Sequence, residues 1–215
     1  MKIGVSILFY SVVAYATYLM ILIALPHLAL QSGIDFLQTK QPIYHLKLWR
    51  WSFYIHIFSA IPVLFFGIFQ FSRFVLKKHP KIHRTSGLIY ATILLLLAAP
   101  SGLIMSFYAN GGLIAQLGFV LMSLLWILTT ILALYDIKQK NHVSHGKWML
   151  RSYALTFAAV TLRFYGFLVD YFHFNIPPKE TYILLAYLSW IPNLVIAEIL
   201  IRFRFIDRLI QKNIR

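Results

Sequence analysis

"GLIAQLGFVLMSLLWILTTILALY", residues 112–135, contains no charged side chain. As an α-helix it is about 36 Å long, enough to cross a hydrocarbon core of about 30 Å. Its few polar groups are one amide and small hydroxyls, so the stretch reads as a membrane-spanning helix. Working outward, five more apolar stretches reach spanning length, at about 4–30, 49–73, 85–107, 148–173 and 181–203. The first is about twice the length of a signal-peptide core and no small-x-small cleavage site follows it, so it is expected to be retained.

Composition agrees. Of 215 residues 60% are hydrophobic and 12% charged, against about 25% charged in soluble domains; mean hydropathy is +0.74. One core of this size cannot bury that apolar surplus, which must face lipid. The expected class is an all-α polytopic membrane helical bundle, six transmembrane helices in one integral membrane domain covering 1–215.

Basic residues set the expected orientation. One set of connections and ends holds Lys2, then Arg73, Lys77, Lys78, Lys81 and Arg84. The same side holds Lys138, Lys140, Lys147 and Arg151, then Arg202, Arg204, Arg208, Lys212 and Arg215. The opposite side has only Lys40, Lys47, Arg50 and Lys179. This asymmetry predicts both termini in the cytoplasm of a bacterial inner (cytoplasmic) membrane. The net charge of +14 is then explained by topology and anionic headgroups. The expected partner is the lipid bilayer, with a membrane-complex partner or a homodimer as further expectations and no nucleic acid.

No cysteine is present, which excludes disulfides, thiolate metal sites, iron–sulfur ligation and covalent c-type haem. Eight histidines remain. His27, His45, His56 and His173 fall toward the side with few basic residues; His79, His83, His142 and His145 fall toward the basic side. His83 and His145 both stand where a span begins, so neighbouring helices would bring the two imidazoles together as ligands of a metal or haem.

The fifth span carries the most polar chemistry. His145, Ser152, Thr156, Ala159, Arg163, Gly166 and Asp170 follow helical spacing and form one face. Arg163 lies within the span, where an arginine costs a few kcal/mol and needs a partner or a role. Pairing with Asp170 and anchoring a carboxylate or propionate are both open. The second span repeats the pattern with His56, Ser59, Val63, Gly67 and Gln70, and Pro62 predicts a kink nearby. In the sixth span Ser189 and Asn193 share a face. Glu198 is expected to pair with Arg202 four residues on, with Arg151 as the interhelical alternative. Gln70, Asn193, Glu198 and Asp170 are thus expected as structural polar groups.

"HRTSGLIY" (83–90), "HGKWMLRSYALTFAAVTLR" (145–163) and "SWIPNLVIAE" (189–198) closely resemble a bacterial family of multipass membrane proteins known only as a domain of unknown function, with HRxxGxxY and HxxWMxR motifs. The resemblance runs from about His56 to Glu198. It marks His56, Gly67, Gln70, His83, Arg84, Gly87, His145, Trp148, Arg151, Arg163, Asn193 and Glu198, and implies a membrane bundle without naming an activity. A looser architectural likeness is to di-haem b-type cytochromes, from which this chain departs by placing its basic-side histidines at helix mouths.

The sequence singles out no catalytic residue. The leading expectation is a redox protein binding haem b or a divalent metal ion. His56, His83, His145, Arg151 and Arg163 would hold the cofactor, and His83 and His145 would ligate the metal. The alternatives are a small-solute carrier lined by Arg163, His56, Asn193 and Thr156, a non-catalytic accessory or assembly subunit, and an intramembrane enzyme with a metal on the His83–His145 pair.

Overall fold

A computed structural model describes residues 3–211. The termini, and with them Lys2, Lys212 and Arg215, lie outside the described residues. Among the described residues there is no β-strand, and six helices are long and apolar enough to cross a membrane. They are Tyr10–Ala29, Lys47–Phe71, Pro80–Ser106, Gly112–Lys138, His142–Tyr171 and Pro178–Arg202.

The elements run in chain order. Helix α1 (Ile3–Ala24) leads through a 3₁₀ turn and an irregular segment with the short α2 (Gln41–Tyr44) into α3 (Lys47–Gly67). A third 3₁₀ turn, Ile68–Phe71, after those at Leu25–Ala29 and Asp35–Lys40, and α4 (Arg73–Lys78) lead to α5 (Pro80–Ile93). The third span continues through a π-helical turn, Leu94–Ala98, into α6 (Ala99–Ser106). Next come α7 (Gly112–Lys138), α8 (His142–Thr156) and α9 (Ala158–Tyr171). The described residues close with α10 (Pro178–Leu188), α11 (Ile191–Arg202) and α12 (Phe205–Gln211). The end carrying α4, α12 and the α7–α8 connection is called the basic end below, and the opposite one the far end.

Two helices start earlier than the sequence predicts, each for a local reason. Pro80 occupies the first turn of α5, where its missing N–H costs nothing. Asn141 caps α8, its Oδ1 accepting from Ser144 N at 3.2 Å. His83 and His145 therefore lie inside the first turns of their helices. α3 runs through Pro62 without a break in its helix, and the chain tightens to 3₁₀ at Ile68.

Three spans are interrupted near mid-membrane, at Leu94–Ala98, at Phe157 and at Ser189–Trp190. Lipid offers no solvent for a freed carbonyl, so neighbouring helices must satisfy it. Asn193 Nδ2 does so at the fifth-span break, donating to Ala154 O at 3.2 Å and to Thr161 Oγ1 at 3.0 Å. The break in the sixth span is held from the fifth, by Thr161 Oγ1 donating to Ser189 O at 2.5 Å.

The core sits between α3, α5, α7 and α8. Tyr90, Leu94, Val63 and Leu64 are buried there with Tyr153 and Trp126. Gly67 carries the closest approach, since a Cβ there would collide with the Tyr153 ring. A smaller cluster of Leu37, Trp49, Phe53 and Tyr54 closes the far end of α3.

Candidate functional site

The eight histidines separate by exposure. His45, His79, His142 and His173 are exposed, whereas His27, His56, His83 and His145 lie against the protein. His27 is 4% exposed and its Nδ1 donates to Ile23 O of its own helix. The other three are held by contacts that bring separate spans together.

At the basic end His145 Nδ1 donates to Ala133 O of α7 at 2.8 Å. A carbonyl only accepts, so the proton is placed on Nδ1 and Nε2 keeps its lone pair. His83, from α5, stands within Coulombic range of this imidazole, and its own Nδ1 is buried without a hydrogen-bond partner. Gln70 pins the start of α5 by donating to Ser86 Oγ at 2.9 Å and His83 O at 3.3 Å. Gly87 admits that amide, because a Cβ there would stand 2.8 Å from Gln70 Oε1. Asp136 and His142 are also in Coulombic range of His145. Among the described residues no three His, Asp or Glu side chains group closely enough to hold a metal ion.

Seven residues along each of the two helices, about 10 Å deeper by the helical rise, stand Tyr90 and Ser152. Tyr90 OH lies 2.7 Å from Ser152 Oγ and 2.8 Å from Thr156 Oγ1. Thr130 Oγ1 meets Ser152 Oγ at 2.7 Å, and Trp126 Nε1 donates to Thr156 Oγ1 at 3.0 Å. All five side chains are buried. Sequence reading placed Ser152 and Thr156 on a polar stripe but missed their partners Tyr90, Thr130 and Trp126 as one network. The signal lay in the shared spacing of seven, His83 to Tyr90 and His145 to Ser152.

The third level is at the far end. From Tyr90 to Ala98 the spacing is eight, and the π-helical turn between them absorbs the extra residue. Ala98 O thereby receives the Nδ1 proton of His56 at 2.8 Å. Arg163, on α9, stands within Coulombic range of His56. It is exposed, and its NH1 donates to Ala159 O at 2.8 Å. The open question over Asp170 is answered by distance: among the described residues no carboxylate lies within salt-bridge reach of Arg163. The polar stripe on the fifth span therefore faces protein only in its first half. Beyond the break at Phe157 it turns to the surface, with Arg163 and Asp170 both exposed.

The expected pairing of Glu198 with Arg202 is corrected. Glu198 accepts two bonds from Arg151, at 2.5 Å from Nε and 2.9 Å from NH2. The packing of α11 on α8 sets this, presenting the planar guanidinium to both carboxylate oxygens. Trp148 stacks on the same guanidinium, 4.4 Å from ring centroid to Cζ. Arg151 is thus already engaged on both sides.

A family model described as a predicted membrane protein, DUF2306, matches residues 53–201. No curated protein and no solved structure matches the chain. The matched region holds His56, His83, His145, Arg151, Arg163, Asn193 and Glu198, and with it the three polar levels described above. The chain belongs to the DUF2306 family of predicted membrane proteins.

Proposed function

We propose that this protein is a redox protein of the membrane that holds a haem b, or in its place a divalent transition metal, between His83 and His145. The observation that carries this reading is the bond from His145 Nδ1 to Ala133 O. Ligating histidines characteristically donate their second ring nitrogen to a carbonyl or carboxylate, which fixes the ring and leaves the other nitrogen for the metal. His83 approaches from α5 with an unpartnered buried nitrogen. His83 and His145 would hold the haem iron through their free ring nitrogens. A bound haem would supply one-electron transfer.

The chain's own part is positional. Gln70 and Ser86 fix the backbone at His83. Arg151, expected to meet a propionate, is held by Glu198 and Trp148, and on this reading it braces α8 instead of meeting the cofactor. The basic end would lie in the cytoplasm of a bacterial inner membrane, where the positive charges are expected.

The test is an absorption spectrum of the detergent-purified chain, oxidised and then reduced, with elemental analysis of the same sample. A Soret band that is lost in His83→Ala and His145→Ala but kept in His79→Ala supports the reading. A protein expressed with haem supply and metals available that shows neither chromophore nor stoichiometric metal overturns it.

A further inference from the structure

Arg163 stands eight residues before the end of α9, about 12 Å inside the span by the helical rise. His56 stands nine residues after the start of α3, about 13 Å inside from the same end. Two helices thus bring a guanidinium and an imidazole to one depth. Side chains tilt toward their helix N-terminus, so Arg163 folds back toward mid-membrane, where NH1 meets Ala159 O. It does not reach for the nearer surface. A cation so placed costs a few kcal/mol, and among the described residues no carboxylate offsets it.

A Cβ at Gly102 would stand 2.9 Å from the His56 ring, so the glycine lets the imidazole pack close against α6. Gly166, one turn beyond Arg163, has nothing within 4 Å of its own Cβ position. The flanking Phe164 and Phe167 are 54% and 59% exposed on the spanning surface, so the approach to Arg163 is apolar.

We propose that His56 and Arg163 form a binding site, entered sideways from the bilayer, for the oxyanion head of a single-chain amphiphile such as a long-chain carboxylate or an alkyl phosphate. The guanidinium keeps N–H donors beyond the one bonded to Ala159 and presents them as a planar fork to an oxyanion. His56 is held by its Nδ1–H, so its Nε2 faces outward from that bond and, when protonated, adds a further donor. The apolar tail would lie along Phe164 and Phe167 in the lipid. Phospholipid headgroups stay at the interface, about 12 Å away by the same rise, which favours a slender ligand that can sink its head to this depth. The site is separate from the histidine pair at the basic end, so binding is read without reference to any cofactor.

The experiment uses the full chain in a neutral detergent, with unfolding temperature and displacement of a fluorescent long-chain carboxylate as readouts. Dodecanoate and dodecyl phosphate are expected to stabilise and to displace; dodecanol and dodecyltrimethylammonium are not. Arg163→Gln should weaken binding about tenfold or more, His56→Gln less, and Asp170→Asn not at all. Arg163→Lys, which keeps the charge but not the fork, should fall between and serves if the glutamine variant does not fold. Equal binding of dodecanol, or unchanged affinity in Arg163→Gln and Arg163→Lys, overturns the proposal. Competition by acetate or inorganic phosphate as effective as by dodecanoate overturns entry from the bilayer.

Discussion

Tyr90 and Ser152 place their hydroxyl oxygens 2.7 Å apart at the centre of the bundle, joining the third span to the fifth. Thr156, Thr130 and Trp126 complete the group, and neither water nor lipid offers any of them another partner. Tyr90→Phe leaves the ring and its packing but deletes the oxygen shared by two hydroxyls. Hydrogen bonds between membrane helices average about 0.6 kcal/mol and reach about 1.7, so a loss of about 1–2 kcal/mol is expected, since two bonds go together. Thr130→Val removes the bond to Ser152 together with the bond to Trp126 O of its own helix; only the first joins two helices, so it should cost about half as much. Urea or heat unfolding in detergent gives both values; equal stability of Tyr90→Phe and wild type would mean that the network carries no load.

The glycines rank themselves by what a methyl group would meet. At Gly67 the added Cβ collides with the Tyr153 ring, which is 4% exposed, bonded to Leu64 O at 3.1 Å and unable to move away. Gly67→Ala is expected to destabilise by about 3 kcal/mol or more, the upper end of the overpacking range. At Gly87 the obstacle is the flexible end of Gln70, so the cost should be about 1–2 kcal/mol, mainly the bond to Ser86. Gly166 is open, and Ala there should be neutral or gain up to about 1 kcal/mol of helix propensity. Unfolding temperatures of the three variants check the order 67, 87, 166 from worst to best.

The apolar lengths alone were enough to locate all six spans, because each stretch must be at least as long as the hydrocarbon is thick. What the sequence could not reveal were features decided by a neighbour. Leu94–Ala98 is an unbroken apolar run with no mark of a π-helical turn; the extra residue matters only because His56 waits on α3 for Ala98 O. The break at Phe157 has neither proline nor glycine, and Asn193 from the sixth span satisfies the freed carbonyl. Glu198 had Arg202 at the right spacing along its own helix, yet the packing of α11 on α8 gave it to Arg151. At the candidate site the histidines and Arg163 were legible, since polar groups stand out in an apolar span. Trp126 and Thr130 were not, because one tryptophan and one threonine in a spanning helix carry no signal until Ser152 and Thr156 are seen opposite them.

Glu198 and Arg151 give a measurable coupling between the fifth and sixth spans. The carboxylate side chain is 53% exposed and the guanidinium 21%, so screening holds the interaction near the surface range of about 0.5–1 kcal/mol in spite of its bidentate geometry. A double-mutant cycle of Arg151→Gln and Glu198→Gln should return that coupling at low salt and lose part of it at 0.5 M salt. A coupling of zero would mean that the stacking of Arg151 on Trp148, and not the ion pair, fixes the basic end of α8.

Lys40, outside the spans at the far end, gives a pH signature. It is 4% exposed, and its Nζ donates to Tyr108 O at 2.6 Å and to Asn110 Oδ1, tying the segment before α3 to the turn before α7. Burial pushes its pKa down to about 8 from the ordinary value of 10.5. Between pH 8 and 10.5 the unfolded chain therefore binds more protons at this position than the folded one. Stability contributed by this position then rises with pH across the window and is level below it. Since other lysines and tyrosines titrate nearby in pH, the reading is a difference: the unfolding temperature of wild type minus that of Lys40→Met should climb from pH 8 to 10.5. A difference that stays flat, or falls, would show that the two oxygen acceptors hold Lys40 fully charged, as an ordinary lysine, despite its burial.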